Sequence, residues 1–382
     1  MPGAATVRIA LLDCKSTAEA SAGCSGNDLK PRLSREGRGD VSMRIRQWLL
    51  MFASIAGVAG LLTAGPVNAK ELKYITFKPQ AANDAHSITL QWFADQFNKR
   101  EAGKYTIKIY WGGSVAKVGE VPDALETGVG DIGDIVAPYF QDKFPLNGVV
   151  TFFQPQPHSE IELGQKLIQW YEQYPQFDAE MKKYNMKIIG WRPLEDYGIM
   201  CVKPINSPAD LKGLRIRSYG HVLPLLIKEL GGTPVSMTTT DAYEALQRHI
   251  LDCTPTGVTL AHGWKFDEVA KYYIKVPLGA NWGHFIAVNR KSFDALDPQT
   301  KSILIGLGKE YLIHYVNELY RETDTIKANW KKSGVKIMPF PIAPIAKIAQ
   351  SEPMEKVHKD WIARADKTGL PGEEIADYFA FK

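Results

Sequence analysis

Residues 126–135 read ETGVGDIGDI, with Gly128, Gly130 and Gly133 in the G-x-G-x-x-G spacing of a dinucleotide-binding turn. That spacing carries meaning only where a strand enters it and a helix leaves it, because the helix N-terminus holds the pyrophosphate. The order here is the reverse. VPDALET, 121–127, reads as the end of a helix, and Gly128 suits the left-handed residue that closes one. DIGDIV, 131–136, alternates apolar and polar residues as a strand does. About twenty residues past the last glycine, where a ribose-binding acid is needed, stand Phe152 and Phe153. The segment is therefore a helix-to-strand turn of an α/β fold and not a nucleotide site.

Working outward, strand and helix patterns alternate from Leu72: LKYITF, then SITLQWFADQFNKR, then YTIKIYW, then the turn at Gly128. A second set starts near Asp196 with YGIMCV, GLRIRS, the helix HVLPLLIKEL closed by Gly231-Gly232, the short strand PVS, and the helix TTDAYEALQRH leading into ILDCTP. Ala124-Leu125 precedes Asp131 at the same distance as Ala245-Leu246 precedes Asp252, which suggests two similar lobes. After Asp297-Pro298, a periodic stretch from Thr300 predicts one or two long helices ending at Gly334.

With 382 residues and 45% hydrophobic content, the chain can bury a large core. The net charge of +4 comes without a dense basic cluster, which argues against nucleic acid as a partner. Met43–Ala69 has a basic start, an apolar run and the small-residue end Val67-Asn68-Ala69. This is the pattern of a signal peptide with the mature chain starting at Lys70. The run from Trp48 to Leu62 is shorter than the ~20 residues of a membrane span. Residues 1–42, upstream of that complete signal, read as a mis-assigned or disordered leader. Of four cysteines, Cys201 and Cys253 remain in the mature chain. In an oxidising compartment the pair suggests a disulfide, against the alternative of two separate buried thiols.

Four pieces, ALETGVGDIGDI, SPADLKGLRIRSYG, AYEALQRHILDC, and WKFDEVAKYY followed by FIAVNRKSF, resemble the solute-binding receptors of tripartite ATP-independent periplasmic (TRAP) transporters, dicarboxylate-receptor type. The resemblance implies a two-lobed periplasmic binding protein fold of the α/β class, with crossing strands and a long connecting helix. Lobe I is expected at 70–195 plus about 285–315, and lobe II at 196–284 plus about 316–382. The implied protein is a periplasmic monomer with no cofactor or metal. It captures an organic-acid carboxylate between the lobes and delivers it to membrane permease subunits. A sensor-linked receptor and a secreted hydrolase or lyase acting on an organic acid are the alternatives. The sequence has no G-x-S-x-G elbow, Walker lysine, H-E-x-x-H or paired-cysteine metal pattern. Asp131 and Asp134, three apart on a strand, point to opposite faces, and the expectation is a receptor that is not an enzyme.

By the same resemblance Arg217 pairs with the solute's carboxylate, a task suited to a planar, permanently charged fork. Strand alternation alone does not separate it from Arg215. Tyr139, at the end of the strand that follows Gly128, is expected to face the cleft, as are Arg192 and Tyr197 at the first crossing between lobes. Asn281, Trp282 and His284 stand before the return strand FIAVN. Asn83, in the loop with Asp84 and His86, is a further candidate, a helix cap by Asn83 or Asp84 being the alternative. Trp111 and Trp264 are candidate walls. This chain departs from the family pattern at His249 and Cys253, and at Pro255-Thr256, where an acid-amide pair is usual.

Overall fold

The computed structural model describes residues 69–82, 84–101 and 103–380, so the leader, nearly all of the signal peptide and Asn83 lie outside the described residues. The strands in chain order are β1 (Lys70–Ile75), β2 (Tyr105–Tyr110), β3 (Ile132–Val136), β4 (Met186–Asp196), β5 (Gly198–Cys201) and β6 (Arg215–Ser218). They continue with β7 (Thr233–Ser236), β8 (Cys253–Thr256), β9 (Tyr272–Lys275), β10 (Ala280–Asn289) and β11 (Lys336–Pro339). Among the described residues these build two sheets, β2-β1-β3-β10-β4 in lobe I and β11-β9-β5-β8-β6-β7 in lobe II. In lobe I, β1, β2 and β3 run parallel, and β10 returns antiparallel between β3 and β4.

The opening segment folds as its order dictates. Helix Val121–Thr127 ends at Gly128, whose φ of 81° is the left-handed region that costs glycine little, and β3 follows. All five residues of β3 are buried.

The stretch after Asp297 is a single helix, Pro298–Ser333, capped by the Asp297 carboxylate on Gln299 N and Thr300 N and closed by Gly334 at φ 81°. Its first part buries Leu304, Leu307, Tyr311, Tyr315 and Leu319 in the lobe I core. Its last turns bury Ile326 and Trp330 in lobe II. The helix crosses β4 at Gly308, where a Cβ would meet the Ile189 carbonyl oxygen at 1.5 Å. Only a residue without a side chain lets the two backbones approach so closely.

The lobe borders differ from the expected ones in two places. β10 enters the lobe I sheet at Ala280, so the return crossing lies before that residue, not near 285. The C-terminal region divides: Ile345, Ile348 and Met354 pack in lobe II, whereas Trp361, Leu370, Ile375 and Phe379 pack in lobe I. The Trp361 indole N–H donates to Pro145 O at 2.7 Å, anchoring that return. Apolar matching across the molecule decides this, and helical periodicity does not record which core a helix will meet.

In lobe II, β5 and β8 are antiparallel, and Cys201 stands directly opposite Cys253. A disulfide joins them, with Cα atoms 4.1 Å apart.

Candidate functional site

The two lobes meet where the C-terminal end of β3 faces the end of β6, the position at which open α/β sheets bind ligands. Arg217 lies in β6 and is 1% exposed. Its Nη2 donates to Tyr139 Oη and Thr239 Oγ1, each at 2.8 Å, and its Nε donates to Met237 O at 3.2 Å. The guanidinium lies 4.4 Å from the ring centroid of Tyr219. All of these partners are neutral, and no acidic residue forms an ion pair with Arg217 among the described residues. Arg215, two residues earlier, is exposed and is held by both carboxylate oxygens of Asp252. Burial and pairing distinguish the two arginines: Arg215 is exposed and already has an acid, and among the described residues Arg217 does not.

Tyr139 follows β3 and belongs to lobe I by chain position, yet its ring packs against the lobe II core. Its hydroxyl accepts from Arg217 and, at 2.9 Å, from Thr239 N. Beside this knot lies a small cleft of about 30 Å³. Phe77, Val136, Leu194 and His284 line its lobe I side, and Tyr219, Thr239, Leu260 and Trp264 line its lobe II side, with Tyr197 at the crossing.

Arg192 and His284 face each other across the β4–β10 register, and both are buried. Arg192 Nη2 hydrogen-bonds to His284 Nδ1, so that nitrogen accepts and Nε2 carries the imidazole proton. Behind them lie His86 and Asp134, with His86 Nε2 3.3 Å from Asp134 Oδ2, and Tyr74 Oη donates to Asp134 Oδ1 at 2.7 Å. Burial opposes ionisation of Asp134, but His86, Arg192 and the Tyr74 hydroxyl together hold its carboxyl well below the usual carboxylate range. Burial, reinforced by Arg192, lowers His86 to about 4 and pushes His284 down as well. This wall therefore presents Arg192 and Asp134 as opposite charges, with two neutral imidazoles between them.

The sequence reading treated His86 as a loop residue, and the structure corrects that. His86 is buried in the first turn of helix Ala85–Arg100, whose N-cap is Asp84. The Asp84 carboxylate accepts from Ser87 N at 2.8 Å and pairs with the Lys78 ammonium. A pH dependence follows from His86. Its unfolded imidazole titrates near 6.5 and its folded one at about 4. The stability present above pH 6.5 is therefore lost as the pH falls through 6.5 towards 4, by about 2 kcal/mol at pH 5. Glu322, raised to about 7 by burial, binds its proton more readily when folded and contributes with the opposite sign over pH 4.5–7. The expected result is therefore a difference: urea unfolding at pH 7 and pH 5 should show a smaller acid-induced loss in His86→Gln than in the parent protein. Equal losses would remove His86 as a source of acid sensitivity.

Of the other expected residues, Tyr197 is buried and lines the cleft, and Trp264 lines its lobe II side. Trp111 packs against the lobe I core away from the cleft, and Trp191 stacks edge-on against Tyr171 in that core, 5.1 Å between centroids. Asn281 and Trp282 lie on β10 with side chains outside the described residues. Asp131 and Asp134 do part company: Asp131 accepts from Lys73 N and Ser292 Oγ, whereas Asp134 turns into the buried cluster. Sequence reasoning missed Phe77, Tyr219, Thr239 and Glu195. Tyr219 was within reach, since it sits two residues past Arg217 in RIRSY. Glu195, next to last in β4, accepts from Thr259 N, Thr259 Oγ1 and Leu260 N, tying the crossing strand to the first turn of helix Val258–Gly263.

Residues 79–364 match the family described as bacterial extracellular solute-binding protein, family 7. The chain belongs to that family. Its members are solute-binding receptors of TRAP transporters. One relative, a solute-binding protein of Albidiferax ferrireducens, is 24% identical over 261 residues, covering 64% of this chain and 72% of the relative. The 2,3-diketo-L-gulonate-binding periplasmic protein of Escherichia coli is 21% identical over 293 residues, covering 74% of this chain and 85% of its own. The fold is shared with a Bordetella pertussis extracytoplasmic solute receptor that binds pyroglutamic acid, at TM-score 0.68 and 20% identity, covering 81% of this chain and 99% of that one. A TRAP periplasmic solute-binding protein of Roseobacter denitrificans with bound β-D-glucuronate matches at TM-score 0.70 and 18% identity, covering 81% and 100%.

Proposed function

We propose that this family 7 receptor captures an organic carboxylate outside the cytoplasmic membrane, holds it at Arg217 as the two lobes close, and delivers it to the permease subunits of a TRAP transporter. The observation that carries the reading is a buried arginine whose hydrogen-bond partners among the described residues are all neutral oxygens. A guanidinium removed from water is costly unless an anion meets it, and with Nε held by Met237 and Nη2 by Tyr139 and Thr239, Nη1 is the nitrogen that would donate to a carboxylate. Tyr139 and Thr239 hold the fork in place from the two lobes, so an acid seated there touches both and favours the closed form by its differential contacts. Tyr197, Arg192 and His284 contribute further wall on this reading, with Asn83, Asn281 and Trp282 assigned to the cleft by family resemblance alone. The protein works as a periplasmic monomer, and the Met43–Ala69 segment is its export signal.

The test is a thermal-shift screen of the mature protein against mono- and dicarboxylates, sugar acids and aromatic acids, each beside its uncharged amide. At least one acid should raise the melting temperature in a concentration-dependent way, and its amide should not. Amides that stabilise as well as their acids would sink the reading.

A further inference from the structure

The segment that follows β3 grips lobe II twice, through Tyr139 beside Arg217 and through Gln141. The Gln141 side chain is buried and is aimed by lobe I. Its Nε2 donates to Thr151 Oγ1 at 2.7 Å and to Thr151 O at 3.2 Å, and the Thr151 hydroxyl in turn donates to Gly148 O at 2.6 Å. Both amide hydrogens are thereby used, and Oε1 faces the other lobe, where it accepts from His221 N at 2.6 Å. His221 stands four residues after Arg217 and is the N-cap of helix Val222–Glu229 in lobe II.

Gly220 is what permits the approach. Its φ of 64° lies in the left-handed region, and a Cβ there would stand 2.7 Å from Gln141 Oε1. Two flanking contacts run between the same segments: Asp142 Oδ1 lies 3.3 Å from His221 Nε2 in an exposed pair, and Phe152 of lobe I faces the His221 ring at 6.1 Å between centroids. Gln141 does not line the cleft beside Arg217. It lines an adjoining cavity of about 380 Å³ that shares Pro138, Tyr139 and Tyr219 with that cleft as a common wall. Every atom of this latch belongs to the chain, so it is made when the two segments meet and broken when they part, whichever solute lies between the lobes.

Resting on the reading of a carboxylate held between closing lobes, we infer that Gln141 is a positioning residue for capture: it latches onto the lobe II backbone just after the strand that carries Arg217, slows release of the solute, and does not touch the solute itself. A contact made only in the closed form adds its whole free energy to closure. A single net hydrogen bond is worth roughly three- to tenfold in an equilibrium constant.

The experiment is titration calorimetry and stopped-flow tryptophan fluorescence of the full mature protein with pyroglutamate, D-glucuronate, succinate and benzoate, Trp264 in the cleft wall serving as reporter. Gln141→Ala should weaken every acid that the parent binds by the same factor, roughly three- to tenfold, with the loss in the dissociation rate and the association rate held within about twofold. Gly220→Ala, which sets a Cβ against the amide and brings no group towards the cleft, should weaken binding by a similar factor. The double variant should bind within about twofold of Gln141→Ala, because both changes act on one contact. Unchanged affinity in Gln141→Ala, losses that differ by more than about threefold among the acids, or additive losses in the double variant would overturn the latch and leave the carboxylate reading standing. A parent protein that binds no acid would overturn that reading and the latch with it. Urea unfolding of each variant separates a weakened fold, including the backbone strain of Gly220→Ala, from weakened closure.

Discussion

Replacing Arg217 with alanine is expected to weaken binding of the solute by about 2–5 kcal/mol, roughly 30- to 5,000-fold in Kd. The carboxylate would still enter a dry site but would find only the Tyr139 and Thr239 hydroxyls, which are neutral donors. Arg217→Lys keeps the charge and loses the fork, so it should fall between the two. Arg215→Ala is the control: Arg215 lies at the surface, is engaged with Asp252, and should leave affinity within about twofold, in keeping with the small contribution of surface ion pairs. Calorimetry with the tightest acid from the screen reads all three. Equal and small losses for Arg217→Ala and Arg215→Ala would remove Arg217 from the site.

The second large effect concerns stability. Cys201→Ala or Cys253→Ala should lower the unfolding free energy by about 3–4 kcal/mol, because the bridge restrains a loop of 52 residues in the unfolded chain. Urea unfolding without reductant measures this, and reduction of the parent protein should reproduce it. The consequence for binding is smaller but has a direction. β8 carries Cys253 beside Ile216 of β6, the strand that also holds Arg217, and β8 leads to the Glu195 clasp on Thr259. Opening the bridge loosens one wall of the cleft while leaving the arginine's own partners in place. Unfolding curves that coincide with and without the bridge would show that the sheet alone holds the two strands.

Comparison of the chain with its fold separates two kinds of information. The turn at Gly128, the cap by Asp84, the end of the long helix at Gly334 and the alternation of strands and helices are local events. Each is decided within a few residues by left-handed backbone freedom, capping chemistry and hydrophobic period, so ETGVGDIGDI could be read correctly in isolation. The site is only partly of this kind. The motif SPADLKGLRIRSYG marked Arg217, but strand alternation places Arg215 on the same face and gives no reason to prefer either.

What only the tertiary structure decided are the pairings between distant segments. Asp252 neutralises Arg215 from another strand, and Tyr139 and Thr239 meet Arg217 from two lobes. His86 reads as a loop residue from its neighbours along the chain, yet Arg192, Asp134 and His284 arrive around it from β4, β3 and β10. Cys201 and Cys253 were the sole mature cysteines on sequence grounds, but their direct opposition depends on the β5–β8 register. The C-terminal helices likewise return to lobe I through Trp361 and Phe379. Sequence fixes what each segment can become, since propensity and period are properties of neighbours along the chain. Charge pairing, burial and cleft lining depend on separations across space, which only the closed set of packing contacts supplies.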